Sequence, residues 1–400
     1  MTFRRFLTDR GRNTELDFVR GLAILLVIGY HALSLPTSNR WFRGAEVVLK
    51  TFGWTGVDLF FVLSGFLVGG VLLSEYRKTQ QLDVTRFIIR RGLKIWPPYY
   101  FYILFQVIVH RHPLKSYLLA NLLHVQNYVG SSLEHTWTLS LEEHFYLLLS
   151  LTVGWMVLRR WPAGKMIKTF AIALGVVFAV RCLTWFLGFR EMVERSTHTR
   201  IDSLLCGVIL AALLQFYPDY FERLTRRKTV LLLVAGCAVA FIALVHDRKA
   251  AIMGTIGFTV MYLGYAAFML LMYRHSGALR DLVVYKVVAK IGVYSYGIYL
   301  WHLAVRDSCA HFAQRFDPAF QWPVAMLCQY ATAIVLGTAL TLLIEWPSLR
   351  IRDKLFPAKD SLHSLIALQR DPSVLTETDQ TRTRTLPPLG EVAAVYRTSH

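Results

Sequence analysis

The sequence predicts an all-α protein, a polytopic transmembrane helix bundle of about ten spans with both termini cytoplasmic. Three observations predict it. Of 400 residues, 54% are hydrophobic and only 18% charged, a balance that belongs to chains solvated by lipid. Ten apolar runs follow one another, most of them long enough to cross a hydrocarbon core of roughly 30 Å. The formal net charge of +18 is scattered in short basic clusters between those runs, as cytoplasmic loops are under the positive-inside rule. That scatter excludes a nucleic-acid partner and points to the lipid bilayer instead.

In order, the runs cover residues 17–35, 53–73, 95–111, 138–158, 167–188, 201–217, 229–246, 253–273, 285–305 and 323–346. A further apolar stretch, 114–123, is too short to cross and reads as a surface or re-entrant helix. The first sixteen residues are polar and basic and carry no cleavable signal peptide. Ten crossings put both termini on one side, and charge says which. The N-terminus with 74–94, 159–168, 218–228, 274–290 and 347–359 holds 26 Lys and Arg, against 12 in the alternate loops. The heavier face is the cytoplasmic one. Residues 1–350 therefore form the membrane domain. From 351 to 400 the chain turns polar, with DPSVLTETDQTRTRTLPPLG typical of it, and reads as a disordered cytoplasmic tail. Transporters built from repeats leave internal symmetry, and none stands out here. The five cysteines, Cys182, Cys206, Cys237, Cys309 and Cys328, have no close sequence pairing and no metal-ligand spacing. They read as small buried hydrophobes, with no metal site expected.

Ionisable groups inside the spans carry the chemistry, because they are costly at membrane depth and usually face a cavity or one another. The first run, DFVRGLAILLVIGYHALSL, holds Arg20 and His31. Eleven residues of helix return to within about 20° of the starting face and rise about 16 Å. The pair therefore shares one stripe, near opposite ends. With the termini inside, an outer polar layer gathers His31, Asp58, Glu142 and Glu143, Arg200 and Asp202, and His302, from five helices. An inner layer holds Arg20, the cluster Arg86, Arg90, Arg91 and Lys94, and Glu345. The basic cluster suits phosphates through forked Arg contacts, or serves as a topology anchor. Pro97 and Pro98 open the first turn of the helix after it. Gly65 and Gly69 read as a small-residue helix contact.

Taken together, these motifs resemble the acyltransferase type 3 family of integral-membrane proteins. The family's Arg-x10-His matches Arg20 and His31. Its GxxGVDxFFVLSGFL matches Gly53 to Leu67, and its RRxxRIxPxY matches Arg90 to Tyr99, with Lys94 where Arg is usual. The W-S-L-x-x-E-x-x-F-Y signature matches Trp137 to Tyr146, with Thr138 in place of Ser. Arg200, Asp202 and Gly207, then Ser295 to His302, then Glu345 and Pro347 follow in the family's order. The match spans roughly 13–350.

The resemblance implies an acyl-CoA donor, usually acetyl-CoA, as co-substrate from the cytoplasm, and a hydroxyl acceptor, often a carbohydrate, on the outer side of a bacterial inner membrane. Arg20, Arg90, Arg91, Lys94 and Glu345 then serve the donor, and Trp137, Arg200, Asp202 and His302 the acceptor. His31 is the general base, with Asp58 or Glu142 fixing its tautomer; a covalent acyl-His route stays open. The alternative is a proton-coupled secondary transporter, with the same carboxylates and histidines as a relay.

Overall fold

The computed structural model describes residues 13–109, 114–245 and 250–357, and among these the chain is helical with no strand. It divides into two units, 1–351 and 352–400, and the helix bundle is the first. The basic N-terminal segment 1–12 and the tail 358–400 lie outside the described residues.

Asn13 starts the first helix, α1 (Thr14–His31), by accepting a hydrogen bond from the Leu16 amide at 3.1 Å, which satisfies one of the four orphan amides of a helix start. Asn39 caps α2 (Arg40–Phe52) in the same way. No residue of α2 is buried, although its polar and apolar positions alternate with helical period, as in a helix lying along an interface. A short 3₁₀ turn leads into α3 (Gly56–Thr79), then come α4 (Val84–Val109), the nine-residue α5 (Leu114–Leu122), the single turn α6 (Gln126–Val129) and α7 (Trp137–Leu158). The chain continues through α8 (Ala163–Phe186), the short α9 (Arg190–Arg195), α10 (Thr197–Phe216), α11 (Pro218–Arg226), α12 (Lys228–Leu244) and α13 (Phe258–His275). Last come α14 (Val283–Val293), α15 (Ser295–Trp301), α16 (Arg306–Ala313), α17 (Gln321–Leu340) and α18 (Trp346–Leu355).

Six helical stretches among the described residues are long and apolar enough to cross a membrane, and a seventh arises if α11 and α12, bent by 70°, count as one. The other three expected runs differ for identifiable reasons. The 18 residues of α1 include Glu15, Asp17 and Arg20. The apolar run of α4 is diluted by Lys94, three tyrosines, Gln106 and two prolines. The ninth run breaks at Tyr294 into α14 and α15, of 11 and 7 residues.

Backbone contact between helices fixes the frame. A Cβ on Gly65 of α3 would strike the Leu204 carbonyl of α10, and one on Gly207 of α10 would strike the Val62 carbonyl of α3. With little hydrophobic gain available between helices in lipid, such close approach is the main source of cohesion. The small-residue stripe of α3 is thus a packing seam. The same device joins α1 to α14, where Gly292 sits on the Asp17 carbonyl and Gly21 on that of Val288. That seam holds Arg20 at a set depth and rotation.

Pro97 and Pro98 lie inside α4 and not at its start, which corrects the sequence reading. Pro97 lacks an amide, so the Leu93 carbonyl loses its helical partner. The hydroxyl of Ser348 donates to that carbonyl instead. A neighbouring helix thus completes the bond that Pro97 breaks.

Candidate active site

Two cavities flank α1 at its two ends. The first, of about 200 Å³, is lined by Arg20 from α1, Ser64 from α3, Arg91 and Lys94 from α4, Thr138, Glu142 and Tyr146 from α7, and Glu345, among others. Glu345 closes a π-turn, Thr341–Glu345, between α17 and α18, a distortion common at functional sites. Tyr146 donates to the Glu142 carboxylate at 2.9 Å, and its oxygen lies 2.6 Å from Ser64 Oγ. The Arg91 guanidinium lies 5.5 Å from the centre of the Tyr146 ring. Arg20 donates to Asp17 at 3.0 Å. Three cations and two carboxylates thus share one small chamber.

The second cavity, of about 450 Å³, is lined by His31, Lys50, Asp58, His135, Trp137, Arg200 and Arg306, with Glu134, Glu194 and Arg195 contributing further charge. His31 is the last residue of α1, and its Nδ1 lies 2.9 Å from the Val27 carbonyl. A carbonyl only accepts, so Nδ1 carries the proton. The same Nδ1 lies 3.3 Å from Nε2 of His302, whose own Nδ1 lies 2.6 Å from the Tyr299 carbonyl. Both rings therefore take the tautomer protonated at Nδ1, and the lone pair of His31 sits on Nε2. His135, two residues before α7, presents its Nε2 to the Leu300 carbonyl at 3.2 Å and packs edge-on against His302. Lys50 donates to the carbonyls of Tyr30 and Ala32 at 2.9 and 2.5 Å. It caps the end of α1 beside His31.

Across this cavity Arg200 donates to Asp58 at 2.7 Å, both side chains being buried, and the guanidinium lies 3.6 Å from the Phe258 ring centre. Arg200 Nε and Nη1 and Asp58 Oδ2 have no hydrogen-bond partner. Buried donors left in that state are costly, and here they belong to residues that line the cavity. Val57 and Tyr299 line both chambers. These two residues are common to the walls of the cationic chamber and of the one holding His31.

The expected site residues therefore separate into three groups. His31, Asp58, Trp137 and Arg200 line one cavity; Arg20, Arg91, Lys94, Glu142 and Glu345 line the other. Arg90, Asp202 and His302 line neither. Asp202 is buried against Arg181, and His302 stands behind His31. Glu142, read from the sequence as part of the outer layer, faces the chamber of Arg20. Trp137 opens α7, and five residues of helix carry Glu142 about 7.5 Å along the axis and about 140° round it. The Val27 carbonyl and His302 hold the His31 ring, the place expected of Asp58 or Glu142.

Sequence reasoning missed His135, Tyr146, Ser64 and Arg181. The signal for Arg181 was present, an arginine alone in the apolar run 167–188. It is fully buried and donates to Asp202, to Thr259 Oγ1 at 2.5 Å and to the carbonyls of Thr255 and Thr199 at 3.1 and 3.3 Å. Among the described residues no group of three or more His, Cys, Asp or Glu is placed to hold a metal ion.

Comparison with known proteins bears on the same residues. A family model described as an acyltransferase domain matches residues 13–346. The peptidoglycan O-acetyltransferase OatA of Listeria monocytogenes is 30% identical over 325 residues, 73% of this chain and 49% of its own length. The O-acetyltransferase OatA of Staphylococcus aureus is 28% identical over 320 residues, 72% of this chain and 50% of its own. A putative peptidoglycan O-acetyltransferase of Bacillus subtilis is 27% identical over 339 residues, 78% and 51% respectively. The chain thus spans about half the length of these relatives. No solved structure matches it.

Proposed function

The chain belongs to the acyltransferase family, and on that premise we propose that it is a membrane O-acetyltransferase moving an acetyl group from cytoplasmic acetyl-CoA to a hydroxyl of a cell-wall carbohydrate. The observation that carries this reading is the pair of cavities at the two ends of α1, cationic at Arg20, histidine-bearing at His31, and sharing Val57 and Tyr299 in their walls. The cell-wall acceptor is taken from the relatives, two of which are named as peptidoglycan O-acetyltransferases.

In this reading Arg20, Arg91 and Lys94 hold the phosphates of acetyl-CoA by charge-assisted contacts. The thioester reaches past the wall of Val57 and Tyr299 toward His31. The acceptor hydroxyl binds beside His31 and gives its proton to Nε2 as the oxygen attacks the thioester carbonyl. Arg200 lines the same cavity, and its positive charge suits the oxygen that gains charge. Collapse forms the ester and releases the CoA thiolate, which takes the proton back from His31. No covalent acyl-enzyme is needed. This reading takes both termini as cytoplasmic in a bacterial inner membrane, with the first cavity on the donor side and the second outside; the excess of 26 basic residues against 12 supports it. The three relatives all carry O-acetyltransferase names, which leaves the transporter alternative without support.

The test separates donor from acceptor. Purified His31→Ala should bind acetyl-CoA as wild type does and transfer nothing. If it transfers at more than about a tenth of the wild-type rate, His31 is not the base, since that role is worth roughly 10²–10⁴-fold.

A further inference from the structure

Cys309 lies in α16, a helix that begins at Arg306 on the rim of the His31 cavity. Cys328 lies two turns into α17, which packs against α16. Nineteen positions apart in sequence, their sulfurs are 2.9 Å apart, and Thr332 Oγ1 is 3.3 Å from Cys309 Sγ. The sequence reading of five unpaired cysteines does not anticipate this, because the juxtaposition depends on α16 folding back onto α17. Cys182, Cys206 and Cys237 lie on α8, α10 and α12, well apart along the chain from this pair.

We propose that Cys309 and Cys328 form a disulfide that fastens α16 to α17 at the rim of the acceptor cavity. Two features carry it. The sulfurs already lie closer than two non-bonded sulfurs comfortably sit, and short of a bond of about 2.05 Å by only about 0.9 Å. Second, α16 begins at Arg306, four positions after His302, at the end of the bundle that the proposed orientation places outside, where disulfides form and persist. On this point the inference rests on that orientation. The chemistry is exchange with the disulfide of an extracytoplasmic dithiol-oxidising protein. The thiolate of one cysteine attacks a carrier sulfur and gives a mixed disulfide. The thiolate of the other displaces the carrier, which leaves as a dithiol with both electrons, while the two protons of the cysteines balance its thiolates. The consequence is positional. Arg306 lies one turn before Cys309, so the bond holds this side chain at the cavity rim.

The test is thiol counting on the full chain taken from membranes of a bacterial host, acid-quenched and denatured in a maleimide reagent. All five cysteines are available to label. The expected result is three adducts without reductant and five after reduction, with a cross-linked peptide pair containing Cys309 and Cys328. Cys309→Ser should give four adducts with or without reductant. Five adducts in the wild type without reductant overturn the proposal. A reporter fused after His400 then identifies the cause. A cytoplasmic reporter means that the pair stays reduced outside and the disulfide alone falls. A reporter active only outside means that the orientation was inverted. Acetyl-CoA binding, measured on native protein from the same membranes, is independent of both and keeps the enzymatic reading separately testable.

Discussion

Replacing Arg91 and Lys94 together with Gln should weaken acetyl-CoA binding by roughly 10- to 150-fold, whereas Arg90→Gln should leave it near wild type. The three residues sit within five positions of one helix, and on sequence alone they form one basic cluster. In the structure Arg91 and Lys94 line the cavity of Arg20 and Glu142, and Arg90 does not. Each charge-assisted contact to a phosphate is worth about 1.5–3 kcal/mol. Two such contacts, halved because Glu142 and Glu345 line the same chamber as competitors, leave about 1.5–3 kcal/mol, which is the stated range in affinity. Arg91 also lies over the Tyr146 ring, so Arg91→Lys, which keeps charge but loses the planar fork, separates stacking from electrostatics. The assay is calorimetric titration of acetyl-CoA into purified variants in detergent, which needs no knowledge of the acceptor. Wild-type affinity in the Arg91/Lys94 double variant would refute the donor assignment of this cavity and leave the cluster as a topology anchor. A comparable loss in Arg90→Gln would show that cluster charge, and not cavity lining, governs binding.

Further outcomes are expected from the same geometry. Glu142→Gln should bind acetyl-CoA at least as tightly as wild type while transfer falls at least tenfold, as read by single-turnover transfer; unchanged transfer would remove Glu142 from the reaction. His302→Ala should lower kcat through the lost support of His31 Nδ1 and leave acetyl-CoA affinity alone, and His302→Gln should restore part of the rate; equal loss in both would argue for a titrating role. Arg181→Met leaves Asp202 buried without its partner, a change worth about 3–5 kcal/mol, so thermal unfolding in detergent should show a clear drop in midpoint; an unchanged midpoint contradicts the buried pair.

How much of the molecule was legible in the sequence depends on how local each cause is. The stripe of Arg20 and His31 is a property of one helix, so periodicity alone placed them near opposite ends of α1. Gly65 could be read as a contact residue because a bare backbone in a lipid-soluble helix has few other uses. Depth could be read, and rotation between helices could not. Glu142 was assigned by its distance from the start of α7, yet the face it presents is set by how α7 turns against α3 and α4. Pro97 was placed at a helix start because the donor that satisfies the orphaned Leu93 carbonyl, Ser348, lies 255 positions beyond Leu93. The contact between Cys309 and Cys328 was hidden for the same reason.

The relocation of Glu142 changes the account of His31 in one further respect. A catalytic histidine is commonly held by a carboxylate, which orients the ring and stabilises the imidazolium that forms. Here a main-chain carbonyl and a second histidine occupy that place, and Asp58 is engaged with Arg200. The orienting function is met, because Val27 and Tyr299 fix both tautomers through carbonyls that cannot donate. On the proposed mechanism His31 holds a proton only between the acceptor hydroxyl and the departing thiolate. That mechanism needs the thioester in place before the hydroxyl loses its proton, and Val57 and Tyr299, common to the linings of both cavities, mark where the two substrates would meet.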